Sequence, residues 1–112
     1  MFTQRLHQLA GASADEVLRA IQEDLLRNSE KGEMVQGLGG VRKARLSNPS
    51  RSKGKRGGYR YLHLYVRHRN HIHLLCLLDK NEQEDLSAEQ RRQLRATVTQ
   101  LKKTQETKWQ KK

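Results

Sequence analysis

The sequence predicts an α+β domain: a small antiparallel β-sheet of three strands, packed by an N-terminal helical hairpin and a C-terminal helix. Three observations carry this. Apolar residues recur at helical spacing before residue 28 and again after residue 87. Between these regions, three strand-like segments follow one another with no helix among them. Turn-forming stretches separate the segments, which makes the sheet an antiparallel meander. The domain spans residues 1–102, and residues 103–112 form a basic tail expected to fray.

Each element has its own signal. Phe2, Leu6 and Leu9 share one face of a short helix that Gly11 breaks. Ser13 and Glu16 stand at capping-box spacing ahead of a second helix. Its stripe is Val17, Leu18, Ile21 and Leu25, with Arg19, Gln22, Glu23 and Asp24 placed outside, and it ends over residues 28–32. Gly37-Leu38-Gly39-Gly40 reads as a turn. Val41–Leu46 follows as a strand, sending Lys43 and Arg45 to one face with Val41, and Arg42, Ala44 and Leu46 to the other. Ser47–Gly58, with the sole proline, is a long loop expected to be mobile without a ligand.

Tyr59–Arg67 is the clearest strand, with Tyr59, Tyr61, His63 and Tyr65 on one face and Arg60, Leu62, Leu64 and Val66 on the other. His71–Leu78 is apolar on both faces and reads as a central strand. A turn at Arg69-Asn70 would pair Leu64 with Leu75 and Val66 with His73. Ser87 and Gln90 cap the last helix, whose stripe is Leu94, Val98 and Leu101.

Charge is the chain's most unusual property. The net charge is +11, while hydrophobic residues make up only 34% of the chain, so the core is modest and nucleic acid is the first partner to consider. No residue between Met34 and Leu78 is acidic, and ten there are Lys or Arg. Eight of the ten fall in Val41–Arg60. A field of one sign concentrates polyanions and speeds their arrival. No segment approaches the roughly 20 apolar residues of a membrane span, and no positive-then-apolar signal pattern opens the chain. The lone Cys76, within an apolar run, reads as a buried small hydrophobe and fits a reducing cytoplasm. Without cysteine pairs there is no zinc finger or ribbon, and no cofactor is implied.

The element order, with its GLGGVRKAR turn-strand, KGKRGGYR loop-strand and DKNEQEDLSAEQ exit, resembles the RelE/HigB toxins of bacterial toxin–antitoxin systems, in the RelE/ParE superfamily. The resemblance runs from roughly Asp15 to Leu101. It implies a small antiparallel sheet packed by helices. It also implies cleavage of messenger RNA, usually in the ribosomal A site, and silencing by a cognate antitoxin. On the same resemblance, Lys43 and Arg45 match the family's paired basic strand residues, and Arg60 its phosphate-contacting arginine. Lys80, Asn81 and Glu82 stand where members carry final active-site residues. The sequence departs from the pattern in lacking a strand before its first helix. Leu77, Leu78 and His63 also replace positions that are often aromatic.

The chemistry expected is metal-independent: the ribose 2′-oxygen attacks the adjacent phosphorus and the 5′-oxygen leaves. It needs a base, an acid, and positive charge at the phosphorane oxygens. The catalytic candidates are Lys43, Arg45, Arg60, Lys80, Glu82 and His63, the last because its pKa lies nearest neutral. Arg42, Arg51, Lys53, Lys55, Arg56 and Tyr59 are candidates for holding RNA. Each has a plainer alternative. Lys43 and Arg45 can simply solvate a sheet face, and Arg60 can cap the edge of the core. Glu82 can belong to a solvated turn, and the tyrosines and His63, His68, His71 and His73 can be packing residues. The function expected is a ribosome-dependent messenger-RNA endonuclease neutralised by an antitoxin, acting on messenger and ribosomal RNA in the cytoplasm. The alternatives are a catalytically weak RNA- or antitoxin-binding protein in operon control, and a ParE-like gyrase-directed toxin.

Overall fold

The computed structural model describes residues 1–46, 58–66, 71–79 and 85–110, with side chains described as far as Lys103. The predicted loop over 47–57, the turn over 67–70 and the exit over 80–84 lie outside the described residues. The elements are α1 (Phe2–Ala10), a 3-10 turn (Gly11–Ser13), α2 (Ala14–Arg27), β1 (Glu33–Met34), β2 (Arg42–Arg45), β3 (Tyr59–Val66), β4 (His71–Asp79) and α3 (Ala88–Gln110). The α+β architecture matches the expectation, but among the described residues the sheet has four strands in the order β1-β2-β3-β4, all pairs antiparallel. The unpredicted β1 is two residues long, and both its side chains are exposed, so it carried no apolar alternation to read. Glu33 pairs with Lys43 and Met34 with Arg42, and the Val35 amide donates to Val41 O at 2.8 Å. Gly32 makes the approach possible: its φ is +96°, and a Cβ there would collide with the Lys43 carbonyl.

The sheet has a core on each face. Phe2 and Leu6 of α1 and Ala14, Val17, Ile21 and Leu25 of α2 pack on Ala44, Tyr61 and Leu77. Leu94 and Val98 of α3 pack on Val41, Leu62, Leu64, Cys76 and Leu78, with Leu38 folded in from the glycine-rich turn. The expected parities of β2 and β3 are therefore present: Val41 and Leu62 face α3, while Ala44 and Tyr61 face the hairpin. Cys76 is fully buried, and burial pushes its thiol pKa up.

Several expectations need correction. β4 is covered on both faces, but it is an edge strand and not a central one, because apolar faces report layers above and below and say nothing of lateral neighbours. The β3–β4 register also differs: Leu64 pairs with His73 and Val66 with His71. A bulge beside Leu62/His63 takes up one residue of β4, so that Leu75 and Cys76 both turn toward α3. Ser13 makes no side-chain cap; its φ of −93° and ψ of 9° lie outside the extended region a capping residue uses, because the chain enters α2 from a 3-10 turn. At α3 the capping box forms, with Ser87 N donating to Gln90 Oε1 (3.0 Å) and Gln90 N to Ser87 Oγ (3.1 Å). The α3 backbone stays helical to Gln110, well past Leu101, through Lys, Gln and Glu residues of good intrinsic propensity.

Asp24, placed outside the α2 stripe from sequence, is 5% exposed. Its Oδ2 accepts from Lys31 Nζ at 2.7 Å and from the Tyr61 hydroxyl at 3.3 Å. This carboxylate fastens the end of α2 and the following loop to the centre of β3. Burial, with the Asp24 charge, raises the Tyr61 pKa well above the usual phenol range, so the hydroxyl keeps its proton and acts as donor.

Candidate nucleic-acid interface

Lys43, Arg45 and Arg60 lie on the sheet face that α3 packs against. Their placement follows from the strands: Lys43 and Arg45 are two residues apart on β2, and Arg60 pairs directly with Arg45. Arg60 pairs on its other side with Leu78, the last α3-facing core residue of β4. The core thus ends at Leu62 and Leu78, and the two arginines continue the same face beyond it. Arg45 is exposed and Arg60 half-buried. The Arg60 Nη1 is buried and has no hydrogen-bond partner among the described residues. Gly58, two residues earlier, holds a φ of +78° with open space where a Cβ would stand.

Lys43 carries a feature that sequence reasoning missed. Its ammonium pairs with Asp85 Oδ1 at 3.5 Å, just ahead of the α3 cap. The Leu86 amide, donating to that carboxylate at 2.8 Å, and the Lys43 charge together hold the Asp85 pKa below its usual range. Beside this pair lies a recess of about 530 Å³, lined by Glu33, Gln36, Lys43, Asp85 and Arg91 among others. Arg91 Nη1 spans to Gln36 O at 3.3 Å. Asp85 follows the acid-rich exit segment, and that local run of acids beside a basic strand was the available signal.

The other candidates are placed elsewhere. His63 is fully buried on the opposite sheet face, with Nε2 2.8 Å from Lys31 O. A carbonyl can only accept, so Nε2 carries the proton. Burial, reinforced by the Arg42 and Lys31 charges, depresses its pKa despite that bond. This position separates His63 from Arg60: its ring is bonded to the loop that follows α2, on the sheet face opposite the guanidinium. Arg42 lies on the His63 side and donates to Gly32 O at 3.0 Å. Tyr59 also faces the hairpin, its hydroxyl donating to Leu9 O at 3.1 Å. Its ring therefore joins the packing and does not stand on the basic face. Lys80, Glu82, Arg51, Lys53, Lys55 and Arg56 lie outside the described residues. Among the described residues, no three His, Cys, Asp or Glu side chains are grouped to hold a metal ion, and no helix is long and apolar enough to cross a membrane.

The arrangement is a cationic sheet end with a half-buried guanidinium beside two further cations, which suits a phosphodiester in a polyanion. The sequence model for the RelE toxin of RelE/RelB toxin–antitoxin systems matches residues 3–112, nearly the whole chain, and the protein belongs to the RelE toxin family.

Proposed function

We propose that this toxin is a ribosome-dependent messenger-RNA endonuclease, acting in the cytoplasm and neutralised by a cognate antitoxin. The observation that carries the reading is the convergence of Lys43, Arg45 and Arg60 on one sheet face, with an Arg60 nitrogen uncommitted among the described residues. In the reaction, the 2′-oxygen of a ribose attacks the adjacent phosphorus and the 5′-oxygen leaves, giving a 2′,3′-cyclic phosphate and a 5′-hydroxyl end. Charge grows on the non-bridging oxygens as the phosphorane forms. Arg60 and Arg45 are positioned to stabilise that charge, and Lys43 to hold the flanking backbone. Proton transfer is assigned to Lys80 and Glu82 on the family resemblance. Ribosomal RNA is the second anion the basic face contacts.

One observation favours a second reading, a binding protein of weak catalytic power. Tyr59 and His63, proton carriers on β3, both lie on the far side of the sheet from Arg60. Single-turnover cleavage of messenger RNA in programmed ribosomes separates the two. Arg60→Ala is expected to slow cleavage roughly 100- to 1000-fold, the cost of losing one transition-state donor, while ribosome affinity changes only a few-fold. Cleavage by this variant at the wild-type rate would remove Arg60 from the centre. A wild-type chain that binds ribosomes without producing new RNA ends would favour the binding protein.

A further inference from the structure

The recess beside Lys43 differs in chemistry from the basic face it adjoins. Arg45 and Arg60 lie on one side of Lys43, and the recess opens on the other, toward Glu33 and Gln36. Here the cations Lys43 and Arg91 are matched by the carboxylates Asp85 and Glu33. A phosphate has no net attraction to such a place, whereas an uncharged planar group with hydrogen-bonding edges does. Asp85 is already engaged by Lys43 and the Leu86 amide. Glu33 is exposed and forms no ion pair among the described residues. Its register partner Lys43 puts it on this face of the sheet. A carboxylate accepts only, so its ligand must donate. Arg91, steadied by its bond to Gln36 O, offers a guanidinium plane of the kind on which bases stack.

We propose that this recess is a nucleobase subsite: it takes a base flanking the phosphate held at Lys43, Arg45 and Arg60, and Glu33 selects bases bearing an exocyclic amino group. The proposal rests on the phosphate-binding reading of the basic face and adds the base preference. The geometry fits one nucleotide, since Arg45 lies about 7 Å along the strand from Lys43, so a backbone at the arginines reaches Lys43 with its base turned toward Glu33. The volume of about 530 Å³ falls among ordinary small-ligand sites. Cytosine presents an amino group where uracil presents a carbonyl oxygen. Glu33 therefore accepts a hydrogen bond from the first and repels the second.

The test uses the intact chain, titrated by NMR with cytidine 3′-monophosphate and with uridine 3′-monophosphate. The cytidine nucleotide is expected to bind about 5- to 10-fold more tightly, the lower end of a base-edge contact because the site is open to water. Amide shifts are expected at Glu33, Gln36 and Arg91 as well as at Lys43, Arg45 and Arg60. Glu33→Ala should bring the two affinities together, weakening cytidine binding and, with the repulsion gone, leaving uridine binding equal to or tighter than in the wild type; retained uridine binding then shows that the fold is intact. Equal affinities in the wild type, with shifts confined to Lys43, Arg45 and Arg60, would overturn the base subsite and leave the phosphate face standing. Silence at those three residues with both nucleotides would overturn the phosphate reading and the subsite with it.

Discussion

Replacing Asp24 by alanine tests how the helical hairpin is fastened to the sheet. The carboxylate is 5% exposed and takes hydrogen bonds from Lys31 (2.7 Å) and Tyr61 (3.3 Å). The two partners respond differently to its loss. The Lys31 side chain is 23% exposed, so its ammonium swings into water and its share is about 1 kcal/mol, as for a solvent-screened pair. The Tyr61 residue is wholly buried, and its hydroxyl, stripped of its acceptor, costs about 1–3 kcal/mol. The sum is about 3 kcal/mol, a fall in melting temperature of about 12 °C for a chain this size. Tyr61→Phe removes the donor together with its need and costs about 1 kcal/mol. With phenylalanine in place, Asp24→Ala should cost only the solvent-screened ion pairs, to Lys31 and, at 4.0 Å, to the exposed Arg27. Urea denaturation of the two single variants and the double variant therefore gives a coupling of about 1–2 kcal/mol. Strict additivity, or a cost for Asp24→Ala below about 1 kcal/mol, would refute the account.

Three further outcomes follow from the same geometry. His63 and His73 both have pKa values depressed below the ordinary 6.5, chiefly by burial, so below pH 6.5 the unfolded chain binds protons that the folded chain refuses. Stability is then fully present above pH 6.5 and declines as pH falls toward the folded-state values; His63→Gln should flatten the decline, and a melting temperature unchanged from pH 7 to 5.5 would contradict it. Gly32→Ala forces a Cβ onto the Lys43 carbonyl at a φ of +96°, so it should cost about 1–3 kcal/mol and speed hydrogen exchange of the Val35 amide, which pairs with Val41 O. Ribosome binding should weaken with salt at a logarithmic slope steeper than about −2, since Lys43, Arg45 and Arg60 alone displace about three counterions from single-stranded RNA; a flat response measured by filter binding would point to an uncharged interface.

What could be read from the sequence was whatever obeys a period. Alternation on β2 and β3 assigned Lys43, Arg45 and Arg60 to a single face, and the structure keeps all three together. Register escaped, because the bulge that turns Leu75 and Cys76 to the same side leaves no mark in an unbroken apolar run. Asp24 escaped for a different reason. It stands seven residues after Val17 and three after Ile21, inside the α2 stripe by position, and its charge alone argued for solvent. The clue to its burial lay in Lys31 and Tyr61, distant in sequence and joined to it only by the fold. His63 was chosen for its chemistry, yet its parity with Tyr61 already placed it on the hairpin side, away from Arg60.

Arg45 opposite Arg60 is the arrangement that stability alone does not explain. Like charges directly opposed on neighbouring strands are destabilising, and here Lys43 adds a third cation on the same face. No residue between Met34 and Leu78 is acidic, and the sheet's own carboxylates, Glu33 and Asp79, stand on its two outer strands. Asp85 pairs with Lys43, and Glu33 stands opposite that same lysine in register, so both carboxylates answer Lys43. A fold that sets its local preferences against stability at one place does so where function requires it. A bound phosphodiester removes the repulsion and satisfies the guanidinium nitrogen left over at Arg60. Arg45→Gln should therefore raise the melting temperature of the free toxin while weakening its hold on RNA. A variant that lost stability together with binding would show instead that the arginine pair is part of the scaffold.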